Sequence, residues 1–106
     1  MSAVVVPVRE IPEGEARRFA VGEREIAVVN LGGGEFRALD AICSHAHAYL
    51  DEGAVDVEDR TIECPRHGST FEVDSGRPTT LPAIAPVQVF PVTLRDDELH
   101  IEVSDD

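Results

Sequence analysis

Tryptophan is absent, tyrosine and methionine occur once each, and phenylalanine occurs four times in 106 residues. So few large side chains leave an aliphatic core of marginal size, enough for one domain. No apolar run is long enough to cross a membrane, and no basic segment followed by an apolar one opens the chain. A soluble, cytoplasmic protein is expected. Positive charge is also scarce: nine basic residues face 21 acidic ones, giving a formal charge of −12 and a pI near 4.5. Such a surface repels phosphate backbones and excludes nucleic acid as the expected partner. A basic protein surface would suit it better, although acidity also serves solubility alone. There is no nucleotide-binding glycine motif, no separate histidine-carboxylate iron site, and no length left for a substrate domain. Catalysis is therefore not expected.

Cysteine occurs only twice, and both residues belong to one stretch. Cys43-Ser44-His45 and Cys64-Pro65-Arg66-His67 form a C-x-H pair and a C-x-x-H pair, with 18 residues between them. Two thiolates and two imidazoles suit iron-sulfur clusters or zinc, whereas calcium and magnesium prefer oxygen donors. A disulfide would leave the paired histidines without a role. Buried inert thiols are common, but Pro, Gly, Ser and His around both cysteines mark loops rather than core strands. Bound metal is the reading that uses all four side chains, and it leaves iron-sulfur and zinc both open.

The rest of the chain alternates in the β manner. Leu50 to Gly53 reads as a turn, Val55 and Val57 as one strand, Glu58-Asp59-Arg60 as a turn, and Thr61 to Glu63 as the strand entering Cys64. That hairpin brings the two ligand loops side by side. Upstream, Val4 to Val8 with Pro7 reads as an edge strand. Arg17 to Val21, Ile26 to Val29 and Phe36 to Leu39 follow, with turns at Gly22-Glu23 and Gly32-Gly33-Gly34, so the first third reads as an antiparallel meander. Downstream, Thr70 to Val73 is a strand and Asp74-Ser75-Gly76 its turn. Pro78, Pro82 and Pro86 impose an extended loop over 77–86. Val87 to Leu94 and Leu99 to Val103 close the chain as a hairpin across Asp96-Asp97, with His100 on its polar face.

The paired motif, together with Leu50, Gly53, Gly68, Phe71, Gly76 and the stretch through Pro82, resembles Rieske 2Fe-2S proteins over nearly the whole chain. The resemblance implies an all-β fold: an antiparallel sandwich or small barrel as base, built from 1–40 and 83–106, with a cluster-binding subdomain over 41–82. It further implies one 2Fe-2S cluster, with Cys43 and Cys64 on one iron and His45 and His67 on the other. Ser69 would tune the cluster through a hydrogen bond to sulfur, and Leu81 and Pro82 would shield it from water. His47 offers a competing ligand at C-x-x-x-H spacing, but His45 stands at the family's ligand position.

The high-potential respiratory members carry a second cysteine pair and a tyrosine hydroxyl near the cluster. Ala48, Arg66 and Phe71 occupy those positions here, so a potential in the lower half of the Rieske range is expected. A small domain of this kind resembles the ferredoxin component of bacterial ring-dioxygenating systems. It would take one electron from a flavoprotein ferredoxin reductase and pass it to a terminal oxygenase. The alternatives are a structural zinc-binding interaction module and a redox or iron-sulfur sensor associated with cluster assembly.

Overall fold

A computed structural model describes residues 2–43, 48–66, 68–79 and 85–103. Among these residues, ten strands carry the fold: β1 (Ser2–Pro7), β2 (Ala16–Val21), β3 (Arg24–Gly32), β4 (Glu35–Asp40), β5 (Val55–Asp56), β6 (Thr61–Glu63), β7 (Thr70–Glu72), β8 (Val89–Phe90), β9 (Val92–Arg95) and β10 (Glu98–Val103). Among the described residues there is no α-helix, only short 3₁₀ turns at Val8–Glu10 and Leu50–Glu52. The strands form three antiparallel sheets, ordered β1-β10-β9, β2-β3-β4-β8 and β5-β6-β7. The all-β expectation holds.

Period-two alternation decides which way each strand faces. In β3, Ile26 and Val28 point to one side and Ala27, Val29 and Leu31 to the other, and all five are buried. A strand buried on both faces must lie between two layers. Ile26 and Val28 join Val6, Phe36, Phe90, Leu99 and Ile101 in a core against the β1-β10-β9 sheet. Val29 and Leu31 join Leu39, Leu50, Ile62, Phe71, Val73 and both cysteines in a second core against the β5-β6-β7 sheet. Fully burying an aliphatic or aromatic side chain contributes roughly 1.5–3 kcal/mol, so Leu50, Ile62 and Phe71, each 0% exposed, anchor the small sheet to the large one.

Two expectations are corrected. β1 leaves the meander of β2, β3 and β4 and pairs with β10, Val4 opposite Ile101. The run from Val87 to Leu94 is two strands. β8 pairs with β4 through Ala38–Phe90 and Leu39–Val89, whereas β9 pairs with β10. Pro91 separates them because it has no N–H for either ladder, while its carbonyl still accepts from the Glu102 N–H at 3.1 Å.

The small sheet is also tied to the base by charge. Arg60, in the β5–β6 turn, makes a bidentate contact to Asp74 at 2.7 and 2.9 Å and reaches Glu35 at 3.1 Å. Arg37 on β4 meets the same Asp74 at 2.7 Å. Arg60 holds Asp74 well below the usual carboxylate range, partial burial opposes this, and Arg37 adds to it.

Candidate metal centre

Two hairpin-like loops of the same register carry the cysteines. In the first, Ile42 pairs with Tyr49 across the chain, the Cys43 N–H donates to the Ala48 carbonyl at 2.9 Å, and the Leu50 N–H donates to Ala41 at 2.7 Å. In the second, Glu63 pairs with Thr70 and the Cys64 N–H donates to the Ser69 carbonyl at 2.6 Å. Each cysteine is thus the first residue past a strand pair, and its N–H is bonded to the carbonyl five positions on. Gly68 closes the second loop with φ of +75°, a conformation that glycine adopts without the steric cost of a side chain, and its N–H returns to Cys64 at 3.0 Å.

The loops abut through Gly53. A Cβ at that position would lie 1.6 Å from the Glu63 carbonyl oxygen, so only a hydrogen there lets the chain leaving the first loop cross the strand entering the second. The result is chemical as well as geometric. Cys43 and Cys64 are 3% and 0% exposed, belong to one core and form no disulfide with each other. Ser69 is 0% exposed and is the buried polar residue of the described set. Two thiols and a hydroxyl at the root of paired loops, in surroundings otherwise apolar, fit a group that takes thiolate ligands and benefits from a nearby donor. The remaining expected residues, His45, His67, Leu81 and Pro82, and the competing His47, lie outside the described residues. Among the described residues no group of three or more His, Cys, Asp and Glu side chains suited to a metal occurs, and Cys43 and Cys64 are the described part of this one.

Sequence patterning does not reveal the contacts of Tyr49 beside the first loop. The Arg18 guanidinium lies 3.6 Å from the centroid of the Tyr49 ring, and the Tyr49 hydroxyl donates to Glu25 at 3.2 Å. Glu25, Asp51 and Glu52 surround the cation at 3.7, 4.0 and 3.9 Å. Burial pushes the Asp51 carboxyl up; Arg18 opposes that shift, while Glu52 and Glu25 add to it. As sequence, Arg17-Arg18 is only a polar pair in a strand. A further feature is the outer face of the small sheet, where Asp56, Glu58, Asp59, Glu63 and Glu72 line a shallow groove with no basic residue among its described lining residues.

A family model for the Rieske 2Fe-2S domain matches residues 1–91. The ferredoxin subunit of 3-phenylpropionate/cinnamic acid dioxygenase from Escherichia coli (strain K12) is 38% identical over 97 residues, 92% of this chain and 89% of that one. The ferredoxin of carbazole 1,9a-dioxygenase from Nocardioides aromaticivorans IC177 superposes with a TM-score of 0.89 at 35% identity, covering 95% of this chain and 97% of that one. A chain from the complex of reduced oxygenase and oxidized ferredoxin in carbazole 1,9a-dioxygenase gives 0.83 at 35% identity, covering 93% and 91%.

Proposed function

The chain belongs to the Rieske 2Fe-2S family, and from that premise we propose that Cys43, His45, Cys64 and His67 hold its cluster. The protein is a one-electron carrier of the ferredoxin type, with one 2Fe-2S cluster, rather than a catalytic component. When bound, the cluster supplies reversible one-electron reduction. The chain's own residues do the rest. Cys43 and Cys64 present thiolates from inside the protein, His45 and His67 present imidazoles from the two loops, and Ser69 donates toward sulfur. Leu81 and Pro82 exclude water, and residues 41–82 act as the cluster-binding unit on a base formed by the two ends of the chain.

The observation that carries this reading is the placement of both cysteines in one core, on loops of matching register. Replacing two of four thiolates by neutral imidazoles lowers the negative charge of such a centre and raises its potential above that of plant-type ferredoxins. With Phe71 where a tyrosine hydroxyl would add a donor, the potential belongs in the lower half of the Rieske range. The electron comes from a flavoprotein ferredoxin reductase and goes to a terminal oxygenase, in the cytoplasm. The ferredoxin–oxygenase complex named among the solved structures supports the second partner. The carboxylate-lined groove beside Glu63 supports partners with basic docking surfaces, since complementary charge steers encounter.

Low-temperature electron paramagnetic resonance of purified protein, before and after dithionite, tests the assignment. A rhombic signal of low average g that appears only on reduction is expected. Cys64→Ala and His45→Ala should abolish it, while His47→Ala should retain it. A silent protein containing zinc would overturn the carrier reading, and loss of the signal in His47→Ala with retention in His45→Ala would reassign the ligand.

A further inference from the structure

We propose that Arg18 is a positioning residue for the first ligand loop, acting through the ring of Tyr49 to hold the loop's far end against the base. The inference rests on the Rieske reading of that loop. Tyr49 lies opposite Ile42 in the pair that closes the loop, one residue past the Ala48 carbonyl that accepts from the Cys43 N–H. Movement of Tyr49 therefore moves the closure on which Cys43 depends.

Distances show what orients the guanidinium. Charge-assisted pairs that set geometry lie near 2.7–2.9 Å, as Arg60 and Asp74 do at 2.7 Å. The carboxylates around Arg18 stand off at 3.7 to 4.0 Å, whereas the Tyr49 centroid is at 3.6 Å. Arg18 Nη1 and Asp51 Oδ1 are buried without hydrogen-bond partners among the described residues. A guanidinium free to maximise ion pairing would not leave both unpaired, so stacking on the ring fixes its pose and the carboxylates only supply a favourable field. Arg18 is on the same face of β2 as Ala16, which packs in the core that holds both cysteines, and it sits opposite the buried Ala27 of β3. The cation is thus clamped between the rigid base sheet and the loop's root.

The test uses cluster-loaded protein, wild type beside Arg18→Met, Arg18→Lys, Tyr49→Phe and Tyr49→Leu, with Arg60→Met as a control at the other joint. The readouts are the g values after reduction and the rate at which the oxidised visible absorbance bleaches. Loss of a partly desolvated cation–π contact predicts about tenfold faster bleaching and displaced g values in Arg18→Met and Tyr49→Leu. Tyr49→Phe keeps the ring under the cation and should match wild type within about twofold, while Arg18→Lys, which keeps the charge but not the planar stack, should fall between. Arg60→Met should keep wild-type g values even where its unfolding midpoint drops, which separates positioning from a general loss of stability. Wild-type g values and bleaching in Arg18→Met overturn the inference. Should that variant fail to fold, Arg18→Lys decides, and its behaving as wild type does overturns it too. A wild-type protein with no rhombic signal overturns the carrier reading instead, whatever the variants do.

Discussion

Asp74 and Asp51 are carboxylates with opposite relations to folding. Asp74 lies below its ordinary value of 3.8, first because Arg60 hydrogen-bonds it, so the unfolded chain binds the proton more readily and stability rises with pH. Its contribution is complete above the ordinary value and is lost as acid carries the pH down through the lowered one. Asp51 lies above its ordinary value because burial dominates; its contribution is complete below that value and is lost as pH rises through the raised one. Denaturant titrations across the acid range should therefore show the stability deficit of Arg60→Met constant at neutral pH and shrinking below about pH 4. Asp51→Asn should fare better against wild type at neutral pH than in acid. A deficit in Arg60→Met that grows with acid would show that the Asp74 contact does not hold in solution.

Among the elements, the two cysteine loops form one unit because the chain crosses itself at Gly53. Leu50–Glu52 is a single 3₁₀ turn, and the residue after it has no room for a Cβ against the Glu63 carbonyl. Gly53→Ala must push the strand before Cys64 away from the first loop, and overpacking of this kind costs on the order of 3 kcal/mol. Equilibrium unfolding should show that loss, accompanied by a lowered cluster content, because the displaced carbonyl belongs to the residue next to a proposed ligand. An unchanged midpoint and full cluster would mean that the joint is looser than the structure places it.

Across the whole molecule, the β2-β3-β4-β8 sheet is shared by two cores, of which only one contains cysteines. In small domains a bound metal group supplies stability that a marginal core lacks, and here it would act on one side of that sheet. Removing the cluster should therefore expose amides of the β5-β6-β7 sheet and of residues 48–54 to hydrogen exchange while β1, β10 and the Leu99–Ile101 side of the base keep their protection. Uniform loss of protection would instead show one cooperative unit. The surface outside this core remains acidic, and all nine basic residues are arginines. Four of these, Arg18, Arg24, Arg37 and Arg60, face carboxylates on neighbouring elements.

The C-x-H and C-x-x-H pairs, the glycines flanking them and the alternation along β2, β3, β4 and β10 were legible in the sequence, because ligand chemistry depends on residue type and spacing, and alternation depends on the local period of the strand. From these alone come the all-β class, the family resemblance and the cysteines as one site. Tertiary structure decided what depends on contacts between distant residues. It sent β1 to β10, where Val6 joins Leu99 and Ile101 in one core. It assigned the two strands on either side of Pro91 to different sheets, β8 beside β4 and β9 beside β10. It also set Arg18 over Tyr49, since a cation's partner is fixed by which elements pack together and leaves no periodic trace along the chain.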